Sequence, residues 1–199
     1  MRIVAGDLKG RRLMPPSNIE VRPTTDFAKE SLFNILRNKI EFPECTALDL
    51  FCGTGGISFE FVSRGIRQIT SIDINPKCIA FINKTKEQFK VDNLFALRQD
   101  AFVYLGRSKM QFDVVFADPP YDMQNFDLVP ELVLKSFVKP GGLFILEHSR
   151  EHSYEDNPYF SEHRNYGKVN FTFFTMPEQE EHEAPLIVVL ENDIAKALG

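Results

Sequence analysis

Thr46-Ala47-Leu48-Asp49-Leu50-Phe51-Cys52-Gly53-Thr54-Gly55-Gly56 is the stretch on which the fold turns. Its first half is a short apolar run with the length of a buried strand, expected over 47–51, and its second half is a glycine-rich turn. A turn at the carboxyl end of a strand is where open α/β sheets bind their ligands. Glycines there allow a tight bend and let a ligand approach the backbone. A helix is expected directly behind the turn, over 57–64.

The same alternation continues downstream. Short apolar runs at 69–72, 94–98, 112–117 and 143–146 read as strands, and amphipathic segments at 76–91 and 127–137 read as helices, with Pro76 suited to a first helical turn. Strands alternating with helices of these lengths predict an α/β, Rossmann-like fold: a mostly parallel sheet with helices on both faces. Segments 161–166 and 168–176 flank Gly167 and read as an antiparallel hairpin that closes the sheet at seven strands. Beyond it, 178–183 reads as an acidic surface loop and 185–190 as an additional edge strand.

Upstream of Thr46 the pattern differs. Residues 2–14 carry β-prone runs around Gly6 and Gly10, which predicts a β-hairpin bearing Lys9, Arg11 and Arg12. After Pro15-Pro16 and an extended Arg22-Pro23-Thr24-Thr25 stretch, Thr25 or Asp26 can cap a helix that runs to about Ile40. The chain therefore divides into an extension (1–42), a core (43–176) and an acidic tail (177–199), expected to form one compact domain.

With 199 residues, 43% hydrophobic and 26% charged, the composition excludes collagen-like, coiled-coil and mostly disordered chains. The net charge of −5 argues against a protein that coats nucleic acid. That average conceals a polarity: the first 40 residues carry +4 and the remainder −9. The three cysteines, Cys45, Cys52 and Cys78, share no CxxC spacing, which points to reduced core thiols and to no disulfide framework or metal site. No apolar run approaches the roughly 18 residues of a membrane span. The charged start lacks a signal-peptide core, so a cytoplasmic location is expected.

Four strand ends carry candidate chemistry. The turn after the first strand is not a dinucleotide fingerprint, because Ser58 stands where the third glycine belongs, nor a Walker loop, because no Lys-Ser/Thr pair follows. The second strand ends in Asp73, a carboxylate that can accept hydrogen bonds from both ribose hydroxyls of an adenosine-containing ligand. The third leads to Gln99-Asp100-Ala101, where a carboxylate and adjacent backbone groups can read an adenine edge. Helix capping or a solvated loop end is the competing account of Asp73 and Asp100. The fourth ends in Asp118-Pro119-Pro120-Tyr121. Two prolines hold this segment extended. The Asp118 carboxylate and the Pro119 carbonyl can each accept one hydrogen of an exocyclic amine, and Tyr121 offers a ring to stack on a base.

Asp49-Leu50-Phe51-Cys52-Gly53-Thr54-Gly55, Asp73, Asp100 and Asp118-Pro119-Pro120-Tyr121 together resemble the class I S-adenosylmethionine-dependent methyltransferases that modify amino nitrogens. Arg2-Ile3-Val4-Ala5-Gly6, Lys9-Gly10-Arg11-Arg12-Leu13, Arg22-Pro23-Thr24-Thr25-Asp26 and Glu30-Ser31-Leu32-Phe33-Asn34 narrow the resemblance to the RsmD family, over residues 1–176. Members of that family methylate the N2 amine of a guanine in bacterial 16S ribosomal RNA.

The resemblance implies S-adenosyl-L-methionine as cofactor, with Asp49, Phe51, Gly53, Thr54 and Gly55 around its methionine portion, Asp73 at its ribose and Asp100 with Ala101 at its adenine. It implies Asp118, Pro119, Pro120 and Tyr121 as the catalytic grip on the target guanine, and Arg2, Lys9, Arg11, Arg12, Arg22 and Thr24 as contacts to RNA. The implied partner is 16S rRNA in the small subunit or an assembly intermediate, met by a monomer without membrane or obligate protein partner. Phe27 and Lys29 depart from the family pattern, so that one expected RNA or cofactor contact is absent or moved; residues 177–199 have no counterpart. An amino methyltransferase acting on adenine N6 or another planar amine, a non-catalytic RNA-binding module and an NAD oxidoreductase are the competing functions.

Overall fold

The computed structural model describes residues 1–19 and 25–178. Arg22, Thr24, most of the expected acidic loop and the strand at 185–190 lie outside the described residues.

Among them the elements run α1 (Asp26–Leu36), β1 (Thr46–Leu50), α2 (Gly56–Ser63), β2 (Gln68–Asp73), α3 (Pro76–Phe89), β3 (Leu94–Arg98), α4 (Ala101–Arg107), β4 (Phe112–Ala117), α5 (Leu128–Ser136), β5 (Val138–His148), β6 (Phe160–Tyr166) and β7 (Val169–Thr175). The strands form one seven-stranded sheet in the order β3-β2-β1-β4-β5-β7-β6. β1 to β5 are parallel, and β7 joins β5 and β6 antiparallel. The chain builds outward from β1 to β3, then returns to β4 on the other side of β1. That reversal opens a crevice at the carboxyl ends of β1 and β4.

Two cores cover the two faces. On one, Leu32 and Phe33 of α1, Phe59 and Phe61 of α2 and Ile82 of α3 pack on Ala47, Val114 and Phe116. On the other, Tyr104 and Leu105 of α4 and Val129 and Val133 of α5 pack on Leu48, Val115 and Leu146. Helices cover both faces, as the alternation predicts. β1 and β4 are buried almost throughout because each lies inside the sheet.

Four differences from the sequence reading have local causes. The expected hairpin at 2–14 is short: an antiparallel bridge between Arg2 and Arg12 is flanked by backbone hydrogen bonds from Ile3 to Arg11, Gly10 to Ile3 and Leu13 to Met1. Much of the intervening backbone is satisfied elsewhere: the Val4 amide donates to Glu60 (2.8 Å), the Leu8 amide to Ser63 Oγ (2.9 Å) and the Asp7 amide to the Ser63 carbonyl (2.7 Å). Gly6, at φ +80°, lies so close to α2 that a Cβ would sit 1.7 Å from the Ser63 carbonyl oxygen. Ile3, Leu8 and Leu13 thereby join the α1–α2 side of the core. α1 is capped by Thr25, whose hydroxyl accepts from the Ala28 amide (3.2 Å), and it stops at Leu36, short of Ile40, where the Asn38 and Lys39 amides turn back to Ile35 and Leu36. β5 extends beyond 143–146 in both directions, through a register shift opposite Phe112 and Val114. α4 was not expected; Asp100 caps it by accepting from the Val103 amide (3.0 Å).

Candidate functional site

A cavity of about 810 Å³ opens at the carboxyl ends of β1, β2 and β4. Asp49, Phe51, Gly53, Thr54, Asp73, Asp100, Ala101, Asp118, Pro119, Pro120 and Tyr121 all line it. Residues far apart in the sequence are brought together because parallel strands deliver their carboxyl ends to one edge.

The turn after β1 is shaped by unusual backbone. Phe51 adopts φ +60°, a left-handed conformation that costs a non-glycine residue about 1–3 kcal/mol. Its ring lies 6.5 Å from that of Phe102. Gly55, at φ +78°, caps α2 without a side-chain hydrogen bond, and a Cβ there would press on Ile82 and Phe59 at 3.0–3.3 Å. Gly56 and Ile57 at the start of α2 also line the cavity.

Asp73 braces this turn: one carboxylate oxygen accepts from the Gly53 amide and the other from the Asn75 amide, both at 2.8 Å. Asp100 also carries out the capping role that competed with ligand binding in the sequence reading. Each oxygen retains a second acceptor lone pair, and both residues line the cavity, so capping and ligand contact are compatible.

Asp49 is a strongly perturbed carboxyl at the site. It is fully buried, and burial raises its pKa from 3.8 to about 7; hydrogen bonding from Ser58 opposes the rise, and the Asp73 charge adds to it. Ser58 Oγ donates to Asp49 Oδ2 at 2.5 Å and meets Ser71 Oγ at 2.8 Å. Ser58, noted in the sequence only as a broken glycine pattern, therefore orients the acid beneath the turn. Asp113 at the opposite end of the sheet behaves in the reverse way. Burial alone raises it too, but hydrogen bonds from Lys139 and Thr46 more than offset that and hold it below the ordinary carboxylate range.

On the other side of the cavity, the Asp118 amide donates to the Leu50 carbonyl (3.3 Å), so the Asp118 segment is tied to the end of β1. The Tyr121 hydroxyl donates to Glu147 Oε1 (3.2 Å). Glu147, at the end of β5, is buried and lines the cavity. Sequence reasoning missed it, although it shares a signal with Asp49 and Asp118: an acid inside or directly after an apolar strand.

The wall was missed as well. Thr25 and Lys29 of α1 and Tyr166, Gly167 and Lys168 of the β6–β7 tip line the cavity. Lys29 is almost completely buried; its ammonium donates to the Arg2 carbonyl (2.6 Å) and to Glu60 (3.1 Å), and lies 3.6 Å from Asp26. Glu60 is also paired with Arg64. Lys29 is thus a strut between α1, α2 and the amino-terminal segment.

Among the described residues expected at RNA, Arg2, Lys9, Arg11 and Arg12 do not line this cavity. Arg2 pairs with Asp26 (2.9 Å) and Arg11 sits 4.8 Å over the Phe89 ring. Lys9 is exposed. Arg12 borders a second cavity of about 450 Å³ with Lys77, Lys84 and Phe81. Cys52 and Cys78 are buried and Cys45 half-buried, and none forms a disulfide. Among the described residues no helix is long and apolar enough to cross a membrane.

The family model described as conserved hypothetical protein 95 matches residues 1–175. Ribosomal RNA small subunit methyltransferase D from Haemophilus influenzae is 31% identical over 156 residues, covering 76% of this chain and 80% of that one. Its counterpart from Buchnera aphidicola is 30% identical over 149 residues, covering 74% and 75%. The chain belongs to the RsmD family of methyltransferases. The solved structure of the Escherichia coli protein yhhF superposes with a TM-score of 0.79 at 25% identity, over 90% of this chain and 99% of that one. An RNA methyltransferase from Salinibacter ruber, solved with S-adenosyl-L-homocysteine, shares the fold at a TM-score of 0.62 and 16% identity, over 81% and 98%. The RsmD-family match spans the amino-terminal segment as well as the sheet.

Proposed function

We propose that this RsmD-family protein transfers a methyl group from S-adenosyl-L-methionine to the exocyclic N2 amine of a guanine in small-subunit ribosomal RNA. The observation that carries the reading is the convergence of the Asp118-Pro119-Pro120-Tyr121 segment with the glycine turn, Asp73 and Asp100 around one cavity. The relatives named as small-subunit rRNA methyltransferases support RNA as the substrate.

The residues present fit the cofactor. Asp49 is a buried acid whose charge a cationic ligand group would stabilise, and Gly53 and Gly56 line the cavity with backbone alone. Asp49 and the 51–55 turn would hold the methionine portion, Asp73 the ribose and Asp100 with Ala101 the adenine. When bound, the cofactor supplies an already activated methyl group.

The rest is the work of the chain. Asp118 and the Pro119 carbonyl accept the two amine hydrogens and thereby aim the nitrogen lone pair; the Tyr121 ring stacks on the base while Glu147 fixes its hydroxyl. As positive charge develops on nitrogen, the Asp118 carboxylate stabilises it, and the amine sheds its proton afterwards, so no strong general base is required. Lys9, Arg11, Arg12 and the residues around Arg22 and Thr24 would hold phosphates. The target base must leave any stack it occupies, at a cost of a few kcal/mol.

The deciding experiment is mass spectrometry of ribosomal RNA nucleosides from cells lacking the protein, followed by methyl transfer from labelled cofactor to their small subunits and naked rRNA. Loss of one N2-methylguanosine, restored by the purified protein, is expected. An unchanged N2-methylguanosine content, or a gap restored at adenine, would overturn the assignment.

A further inference from the structure

The amino-terminal segment is the basic feature evident in the sequence, but a second arrangement borders the cavity directly. Phe27, on the first turn of α1, is 67% exposed and meets the Tyr166 ring edge to face, with centroids 5.7 Å apart and planes at 82°. Tyr166 is itself supported from below by Phe171 (6.0 Å) and lines the cavity wall with Gly167 and Lys168. The tip is tied down by Arg150, whose guanidinium donates to the Gly167 carbonyl (2.8 Å). Exposed Lys168 and Arg150 stand at the hairpin tip next to Tyr166, and on the helix side Arg2 is paired with Asp26.

An exposed aromatic packed edge to face on a second ring that lines the cavity, with Lys168 and Arg150 at the same hairpin tip, has the composition of a platform for an unpaired nucleobase. We infer that Phe27 and Tyr166 form a stacking bracket for a nucleotide flanking the target base in single-stranded RNA, with Lys168 and Arg150 facing its phosphates. The inference rests on the proposed RNA methyltransferase activity and adds a subsite to it. It also gives a role, contact to a base, to Phe27, which departs from the family pattern. A protein partner is less favoured, because Lys168 and Arg150 stand at the hairpin tip and Tyr166 lines the cavity itself.

F27A and F27Y are the variants that test it, since an exposed side chain can be truncated without disturbing the core. With rRNA prepared from cells lacking the protein, F27A should raise KM about 10-fold, the effect of losing one stacked base, while kcat changes less than about two-fold and S-adenosylhomocysteine affinity is unchanged. F27Y should restore the wild-type KM. A single-stranded oligoribonucleotide carrying 2-aminopurine should be quenched on binding the wild type and F27Y, and not on binding F27A. An F27A protein with wild-type KM and quenching overturns the bracket, as does a defect confined to assembled subunits, which would assign Phe27 to a protein contact. A wild-type protein that methylates no RNA would instead overturn the activity on which the bracket rests.

Discussion

Replacing Asp49 by asparagine tests the electrostatics at the base of the site. The folded protein holds this carboxyl at a pKa of about 7 against an ordinary 3.8, so the native state binds a proton that the unfolded chain has released anywhere between these values. Stability from this group is therefore complete below about pH 4 and declines as pH rises to about 7, above which the loss is constant. At 1.36 kcal/mol per unit, the full loss is about 4 kcal/mol, and about 3 kcal/mol of it falls between pH 5 and 8. The asparagine side chain keeps an acceptor for Ser58 but does not titrate. Urea unfolding of wild type and D49N at pH 5 and pH 8 isolates the group, because every other titration is common to both proteins. D49N should gain about 3 kcal/mol relative to wild type on going from pH 5 to pH 8. Parallel pH dependences in the two proteins would refute the buried, uncompensated carboxyl. The same ionisation should make wild-type affinity for S-adenosylhomocysteine, measured by calorimetry, rise through pH 7, with D49N flat.

Other outcomes follow from individual contacts. D118N should lower the rate of methyl transfer at least ~100-fold while S-adenosylhomocysteine binding by calorimetry stays at the wild-type value. Lys29→Met leaves Glu60 buried with Arg64 as its remaining cation and should cost about 3–5 kcal/mol in urea unfolding, and adding Glu60→Leu to it should recover part of that stability. Gly6→Ala forces a left-handed alanine against the Ser63 carbonyl and should cost about 1–3 kcal/mol, visible as faster proteolysis within residues 1–19. Neutralising Arg11 and Arg12 together should reduce the slope of log affinity against log salt by roughly 0.7 for each phosphate they neutralise, measured on single-stranded rRNA fragments.

The parallel sheet, its covered faces and the strand ends at Asp49, Asp73, Asp100 and Asp118 were legible in the sequence, because buried parallel strands are written as short apolar runs and their exits as glycine, proline or acid. Boundaries inside the sheet were read to within a residue or two at β1 to β4. β5 was read short because Pro140, Gly141 and Gly142 interrupt its apolar pattern, although the strand continues through them. α4 was missed because seven residues hold too few apolar repeats to register as a helix.

By itself, then, the sequence determined which residues end each strand, and with that the chemistry gathered at one edge. What only the tertiary structure decided concerns pairs far apart in the chain. The amino-terminal residues pair with each other only over a short stretch and also dock on α2, where Glu60 and Ser63 take the Val4, Asp7 and Leu8 amides. Ser58 holds Asp49, Glu147 holds Tyr121, and Phe27 meets Tyr166 from the opposite end of the described chain. Local periodicity reports which face a residue turns to the core; it carries no information about which distant side chain it finds there.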